Sequence, residues 1–313
     1  MKALISAAAG VEVADVAQPT PGPQEILVKV KAIGMNRIDL VALRDPKDQI
    51  IGMEWAGEVA EVGSQVEEFK VGDRVMCTGS GGYAQFAVAD AHRCCRVPNG
   101  MAWETASSLL LGLQTMHDAL VTQGGLRTGS TVLIQGATSC MGLIGMQLAK
   151  ALGASCVMGT SRSSIHLSTL HAYGCDVPVD TSEAGWPEAV LEATKGEGAS
   201  IIVDLVSGEA TNQCMAAAAI GGRIVNVGRL GGAQAEFDFN LHALRRLSYM
   251  GVTFRTRSRD EIRVLNASMR RDVQGLLSSI SVPVAACFGF DKAADALTFL
   301  SSSRQLGKVV LIP

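Results

Sequence analysis

The chain has 313 residues, of which 48% are hydrophobic and 18% charged, so a sizeable core is available and intrinsic disorder is not expected. Its formal net charge of −3 argues against a nucleic acid or an acidic membrane surface as the main partner. No apolar run is long enough to cross a membrane, the amino-terminal segment is a poor signal peptide, and the eight cysteines include no CxxC pair. We therefore expect a cytoplasmic protein with reduced thiols, made of one large or two modest domains.

Residues 1 to about 105 have the pattern of short β-segments separated by turns. Residues 26–33 (ILVKVKAI) and 58–62 (EVAEV) alternate apolar and polar side chains, as half-buried strands do. The turn VGDR at 71–74 precedes another β-segment, and a glycine-rich turn precedes a strand over 83–88. Strands of this length with frequent turns predict a small antiparallel barrel.

The pattern changes near residue 103, where residues 103–120 have apolar positions at helical spacing and Glu104 in the first turn. From about residue 130, compact apolar strands alternate with helical segments, which is typical of a doubly wound parallel sheet. The predicted strands are 131–135, 155–159, 199–205 and 223–227, and the predicted helices are 142–152, 164–173, 187–194 and 209–219. The last strand, 306–312, has no helix after it, so we expect the carboxyl-terminal segment to return to the first domain.

The turn after the strand 131–135 predicts a dinucleotide site. It reads GATSCMG at 136–142 and leads into a helix, whose amino terminus offers N–H donors and the positive end of its dipole to a phosphate. Of the pattern GxGxxG only the last glycine is present, so an ordinary tight turn is the alternative. The residues that we expect at the phosphates are Ala137, Ser139, Cys140, Met141 and Gly142.

The end of the next strand favours NADPH over NADH. An NAD site usually has an acidic residue there, which binds the ribose hydroxyls. This strand ends in TSRSS at 160–164, and no acid follows until Asp176. The guanidinium of Arg162, with Ser161 beside it, suits the 2′-phosphate of NADPH, and His166 is a second candidate donor. The alternatives are a solvated loop cation for Arg162 and an exposed helical histidine for His166.

Several further segments resemble, in order, the zinc-free quinone oxidoreductase (zeta-crystallin-like) branch of the medium-chain dehydrogenase/reductase superfamily. They are AIGMNRID at 32–39, GMEWAGEV at 52–59, VG at 62–63, GDRV at 72–75, GGRIVNVG at 221–228, FRTRS at 254–258 and LGKVVL at 306–311. The resemblance implies an α/β protein in which a GroES-like β-barrel domain, residues 1–105 completed by 260–313, accompanies a Rossmann domain. That second domain, residues 106–259, has a doubly wound parallel sheet and binds NADPH. Further cofactor contacts are expected at Thr115, Val227, Gly228, Phe254 and Arg255.

The same resemblance implies that the catalytic zinc is absent. In zinc-dependent relatives the ligands stand at or near positions that here are Asn36, Met53 and Leu111, and none of these side chains is a usable zinc ligand. The hydroxyl used there for proton relay falls on Ile38. Of the four-cysteine structural zinc lobe, only Cys77 lies near the corresponding place. We therefore expect no metal site.

Without a metal, hydride transfer must be assisted by positioning and hydrogen bonds, which suits an activated acceptor such as a quinone or an α,β-unsaturated carbonyl. Asn36 is our candidate donor to the anion that forms on the acceptor, with a turn or capping role as the alternative. Asp39 matches an aspartate of the family, and for it a structural role is favoured over a catalytic one. The loop before GMEW is shorter here, at 44–51, than is usual in the family. The acceptor pocket is therefore expected to differ in shape.

Three functions compete at this stage. The leading one is an NADPH-dependent reductase of a quinone or enone. An enoyl-thioester reductase is the second, because enoyl reductase domains of polyketide synthases have similar segments; a chain that starts with Met and ends just after GKVVL favours a stand-alone enzyme. The third is a non-catalytic, crystallin-like NADPH-binding protein. Residues 249–254 (YMGVTF) predict an exposed edge strand, through which relatives usually form homodimers.

Overall fold

A computed structural model describes residues 1–7, 10–44, 49–302 and 305–313. The strands are β1 (Lys2–Ala7), β2 (Gly10–Asp15), β3 (Glu25–Gly34), β4 (Glu54–Val62), β5 (Arg74–Thr78), β6 (Phe86–Asp90), β7 (Cys94–Arg96), β8 (Thr131–Gln135), β9 (Cys156–Ser161), β10 (Val177–Asp180), β11 (Ala199–Asp204), β12 (Ala218–Asn226), β13 (Ser248–Gly251), β14 (Val284–Gly289) and β15 (Lys308–Ile312). The α-helices are α1 (Arg37–Ala42), α2 (Trp103–Ala106), α3 (Leu110–His117), α4 (Cys140–Ala151), α5 (Ser164–Leu167), α6 (Trp186–Ala193), α7 (Ala210–Ala217), α8 (Phe239–Leu244), α9 (Arg259–Val273) and α10 (Ala293–Ser301). Within the described ranges, no helix is both long and apolar enough to span a membrane.

The chain divides into two compact units. Unit 1 comprises Met1–Leu111 and Ile262–Pro313, and unit 2 comprises Gly112–Glu261. The carboxyl-terminal segment therefore returns to the first unit, where β15 pairs with β3.

Unit 1 is built on a seven-stranded sheet in the order β14-β15-β3-β4-β5-β7, with β6 also paired to β3. Its core is formed by apolar side chains of these strands and of α10, among them Ile26, Val28, Trp55 and Leu297. Within residues 1–105 the strand pairings are antiparallel, as predicted. The carboxyl-terminal strands β14 and β15 add a parallel pair to this sheet. Residues 45–48, the centre of the shortened loop, lie outside the described residues.

Unit 2 contains a parallel sheet in the order β10-β9-β8-β11-β12-β13. The chain runs outward from β8 to β9 and β10, and then crosses to the other side to form β11, β12 and β13. The strand order therefore reverses between β8 and β11, and open α/β sheets bind ligands outside the carboxyl ends of the strands at such a point. Strand β13 is the edge strand, as predicted, although it is shorter than the predicted segment 249–254.

The predicted continuous helix 103–120 is interrupted. It forms α2, then α3, then a π-helical turn over Asp118–Gln123. The break follows α2, where the hydroxyls of Ser107 and Ser108 donate to the carbonyl oxygen of Glu104 at 3.0 and 2.6 Å. Such local side-chain bonds compete with the helical backbone pattern.

Candidate functional site

The turn between β8 and α4 has the features of a dinucleotide phosphate site. Gly136 turns the chain with a φ of +80°, and α4 begins at Cys140 at the carboxyl end of β8. The hydroxyl oxygen of Ser139 caps the helix by accepting the N–H of Gly142 at 3.1 Å. A Cβ atom at Gly142 would come within 2.5 Å of the Cα and carbonyl oxygen of Ala137. Glycine therefore lets the first turn of α4 lie directly on the turn, where its N–H donors and dipole suit a pyrophosphate.

The predicted 2′-phosphate residues follow the neighbouring strand. Ser161 ends β9, and its hydroxyl oxygen accepts the N–H of Ser163 at 3.0 Å. Arg162 is exposed, and His166 is half-buried on α5. Because β9 pairs parallel with β8, Arg162 stands at the same sheet edge as the phosphate turn.

Two further predicted contacts come directly after β12. The backbone N–H groups of Val227 and Gly228 both donate to the carbonyl oxygen of Asp204, at 2.9 and 3.1 Å. They therefore lie at the same carboxyl edge, beside the end of β11. Thr115 is buried on α3.

Phe254 and Arg255 lie in the turn that follows β13, and Arg255 is exposed. The turn is fixed by Arg257, whose guanidinium donates to the buried carboxylate of Asp118 at 2.6 Å. The same guanidinium lies over the ring of Phe254, 5.8 Å from its centroid. Sequence reasoning missed Arg257 as the anchor, because its partner is 139 residues away.

In unit 1, Asn36 belongs to a buried polar network whose members are Asn36, Asp39, Glu54, Tyr83 and Lys308. The ammonium of Lys308 donates to Oδ1 of Asn36 at 2.8 Å and to Oε2 of Glu54 at 2.6 Å. The side-chain amide of Asn36 donates to the carbonyl oxygen of Gly34 at 3.0 Å and to Oε2 of Glu54 at 3.3 Å. Asn36 is also the N-cap residue of α1.

The strand register explains why residues so distant in sequence meet. Strand β15 pairs with β3 so that Val310 faces Gly34, and the same antiparallel register places Lys308 opposite Asn36. Strand β4 pairs with β3 as far as Ile33 opposite Trp55, and the same register extended by one residue places Glu54 opposite Gly34. Asn36 comes two residues after the end of β3, and its amide meets the side chains of Glu54 and Lys308 there. A Cβ at Gly34 would overlap the backbone carbonyl oxygen of Ser107 and would come within 2.8 Å of Cε of Lys308, so only glycine fits here.

Asp39 joins the network through its carboxylate. Its Oδ2 accepts the backbone N–H of Asn36 at 2.7 Å and the hydroxyl of Tyr83 at 2.8 Å. Burial raises the pKa of Asp39 to about 6, although these two hydrogen bonds and the charge of Lys308 act in the opposite direction. Burial, together with the carboxylate of Asp39, also raises the pKa of Tyr83 well above its usual value. The geometry fits the structural role that the sequence favoured for Asp39.

This pKa predicts how the stability of unit 1 depends on pH. Between pH 3.8 and about 6 the unfolded chain ionises Asp39 while the folded protein keeps it protonated, so stability falls as pH rises through this window. Asp39→Asn keeps an oxygen for both hydrogen bonds but does not titrate. We expect the unfolding free energy of the wild type, minus that of the variant, to fall by about 2 kcal/mol between pH 4 and pH 7. Urea unfolding at several pH values measures the difference, and a difference that is constant with pH would contradict the assignment.

Sequence reasoning quoted Glu54 and Lys308 as letters of motifs and Tyr83 as the first residue of a predicted strand, and it assigned none of them a role. The available signal was the occurrence of charged residues inside otherwise apolar strand motifs, GMEWAG and GKVVL. Charged side chains are almost never fully buried unless they are paired. That signal alone could have shown that partners were needed, but it could not identify them.

The three positions that correspond to zinc ligands in relatives are occupied as follows. Asn36 is part of the buried polar network, Met53 is half-buried, and the backbone N–H of Leu111 donates to Oε1 of Glu54 at 2.8 Å. In the part of the chain that the structure describes, no group of three or more His, Cys, Asp or Glu side chains is placed to hold a metal ion.

Comparison with known proteins gives matches over most of the chain. Residues 22–99 match the family described as alcohol dehydrogenase GroES-like domain, and residues 140–269 match the family described as zinc-binding dehydrogenase. A quinone oxidoreductase of Pseudomonas aeruginosa is 31% identical over 94% of this chain and 92% of its own length. Erythronolide synthase EryA2 of Saccharopolyspora erythraea is 32% identical over 95% of this chain, which spans 8% of that protein.

Among solved structures, a quinone oxidoreductase of Pseudomonas syringae superposes with a TM-score of 0.86 at 26% identity, covering 100% of this chain and 99% of its own. These matches confirm the predicted α/β fold class, a GroES-like domain with a Rossmann domain. They also confirm the resemblance on which that prediction was based.

Proposed function

This chain belongs to the quinone oxidoreductase branch of the medium-chain dehydrogenase/reductase superfamily, and on that premise we propose that it is an NADPH-dependent reductase that transfers hydride, without zinc, to a quinone or another α,β-unsaturated carbonyl acceptor. The observation that carries the proposal is the carboxyl edge of the parallel sheet in unit 2. There the turn 136–142 packs closely because residue 142 is glycine. The neighbouring strand β9 is followed directly by Arg162, and no acidic residue occupies its end.

In this proposal unit 2 binds the cofactor, and bound NADPH supplies the hydride. The amino terminus of α4, with Ala137, Ser139, Cys140 and Met141, holds the pyrophosphate, while Ser161, Arg162 and His166 hold the 2′-phosphate. The remaining cofactor contacts are assigned to Thr115, Val227, Gly228, Phe254 and Arg255.

The acceptor is assigned to unit 1, where Asn36 donates a hydrogen bond to the oxygen that gains negative charge. Of the two N–H bonds that its amide makes, the bond to Glu54 is the longer, at 3.3 Å. That bond shares its acceptor, Oε2, with the ammonium of Lys308 at 2.6 Å. It is therefore the bond that an acceptor oxygen replaces at least cost. A neutral donor aimed at a developing anion stabilises the transition state more than the ground state.

Replacing Asn36 tests this assignment. Asn36→Ala is expected to lower kcat by about 100-fold, as the loss of one donor to a developing anion does in other enzymes, while NADPH affinity stays unchanged. Asn240→Ala, which truncates an exposed asparagine of α8, is the matched control and should retain the wild-type kcat. Steady-state kinetics and thermal unfolding are measured on both variants. A wild-type kcat in a folded Asn36→Ala protein would remove Asn36 from the reaction.

The cofactor assignment is tested at Arg162. Arg162→Ala should weaken NADPH binding by about 10- to 100-fold and leave NADH binding unchanged, because only NADPH carries the 2′-phosphate that the guanidinium pairs with. The control is Arg127→Ala, an exposed arginine that precedes the amino end of β8, at the opposite edge of the sheet. Fluorescence titration gives both dissociation constants. If the variant keeps the wild-type preference for NADPH, another group recognises that phosphate.

The acceptor class is tested by measuring NADPH oxidation with 1,4-benzoquinone, a simple enone and a crotonyl thioester side by side. The proposal predicts the fastest turnover with the quinone or the enone. A clear preference for the thioester would favour the enoyl-thioester reductase, an alternative kept because of the 32% identity with erythronolide synthase EryA2. Tight NADPH binding without oxidation would favour a non-catalytic, crystallin-like protein.

We also propose a cytoplasmic homodimer paired through β13, for which light scattering is the test.

A further inference from the structure

The buried ion pair between Lys308 and Glu54 has features that packing alone does not require. Their side chains are 3% and 0% exposed, and the two charged groups lie 2.6 Å apart. Removing two charges from water is costly, and a well-packed apolar pair often stabilises a protein equally well. The pair therefore points to a role other than stability.

The contacts of the ammonium indicate what that role is. Besides Glu54, Lys308 binds Oδ1 of Asn36 at 2.8 Å, so the oxygen side of that amide is held by a positive charge. An asparagine amide has nearly the same shape after a half-turn, so its hydrogen-bond partners decide which side is the donor. A cation on the oxygen also polarises the amide and strengthens its N–H groups as donors.

Lys308 and Asn36 also compete for the same oxygen of Glu54. The ammonium is at 2.6 Å and the amide nitrogen of Asn36 at 3.3 Å, so the lysine makes the stronger contact. Without Lys308, the carboxylate would draw the N–H of Asn36 to itself. That N–H would then be less available to any other acceptor.

We infer that Lys308 is a positioning residue for the acceptor, an inference that rests on the proposed function. Its ammonium holds Oδ1 of Asn36 and satisfies Glu54, and this keeps one side-chain N–H of Asn36 available to the acceptor oxygen that gains negative charge. Lys308 acts through Asn36 and stabilises the anion only by way of that amide.

The test uses a neutral pair, because Lys308→Met alone leaves a buried carboxylate without its counter-charge. Lys308→Met/Glu54→Gln removes both charges and keeps an oxygen that can accept the N–H of Leu111. We expect this double variant to unfold near the wild-type temperature and to bind NADPH as the wild type does. Its kcat with 1,4-benzoquinone should nevertheless fall by at least about 10-fold, which is less than the loss of about 100-fold or more expected when such a donor is removed outright. A double variant that keeps the wild-type kcat would overturn the inference.

A cycle with Asn36→Ala separates positioning from a general structural effect. If Lys308 acts through Asn36, adding the double change to Asn36→Ala should lower kcat no further. Losses that multiply would instead show that Lys308 acts independently, which also overturns the inference. The same cycle tests the proposed donor role of Asn36 by itself. If Asn36→Ala alone keeps the wild-type kcat, that role is wrong, whatever the variants of Lys308 show.

If the protein reduces no acceptor, the proposed function is refuted and kcat cannot test the role of Lys308. An NMR measurement that needs no turnover tests that role in either case. The NMR signals of the Asn36 side-chain amide are identified by their loss in Asn36→Ala. In Lys308→Met/Glu54→Gln they should move upfield as the polarising charge is removed. Signals that stay at the wild-type position would overturn the inference regardless of activity.

Discussion

Gly142→Ala is expected to abolish NADPH binding at concentrations that saturate the wild type. The added Cβ would meet the backbone of Ala137 at 2.5 Å, and backbone atoms cannot rotate away as a side chain can. The first turn of α4 must then move off the turn at 136–139, which displaces the N–H groups proposed to hold the pyrophosphate. We expect a loss of affinity of at least about 100-fold and an overpacking cost of about 1–3 kcal/mol in the free energy of unfolding.

The matched control lies three residues further along the same helix. A Cβ at Gly145 would meet the terminal methyl of Met116, the far end of a flexible side chain that can turn aside. Gly145→Ala should therefore bind NADPH as the wild type does. Titration of both variants, followed by thermal unfolding, makes the comparison. Equal NADPH affinity in the two variants would mean that the close contact at Gly142 does not shape the cofactor site.

Lys308→Met is expected to lower the free energy of unfolding by about 3–5 kcal/mol, because it leaves the buried carboxylate of Glu54 without a counter-charge. Methionine is close to lysine in length, so lost packing contributes little. Adding Glu54→Gln should recover most of the loss, since no buried charge then remains.

The surface of the same unit offers the control. Lys31 and Glu58 lie 3.2 Å apart with side chains 32% and 45% exposed, so Lys31→Met should change the free energy of unfolding by less than about 1 kcal/mol. Urea unfolding with linear extrapolation gives both values. Similar small losses of unfolding free energy for Lys308→Met and Lys31→Met would show that Glu54 does not become a costly buried charge when Lys308 is removed.

The Rossmann elements of unit 2 were the most predictable from the sequence. Strand β8 has the predicted bounds, because its compact apolar run is followed by Gly136, whose positive φ ends the extended conformation. Strand β12 begins at Ala218, five residues before the predicted start, and its first pairing, with Ala199, precedes a shift in register. A pattern of apolar residues does not report such irregular pairing.

The buried polar network was not predictable from local patterns. Asn36 was selected from its motif, but its partner Lys308 is 272 residues away and meets it only through the pairing of β15 with β3. Gly34 was a letter of the same motif, but its close approach to the backbone of Ser107 and to Lys308 depends on long-range packing that the motif does not report. Local composition could show that Lys308 and Glu54 needed partners, whereas only the register of three strands shows that they are each other's partners.

The most direct test of the central claim is to trace the hydride. NADPH with both hydrogens at C4 of the nicotinamide ring replaced by deuterium is incubated with the protein and an enone. The product is analysed by mass spectrometry, with NADH labelled in the same way in parallel. We predict reduced product that carries deuterium at the β-carbon, formed faster with NADPH than with NADH. Bound NADPH that yields no product, or a product without deuterium, would contradict the account.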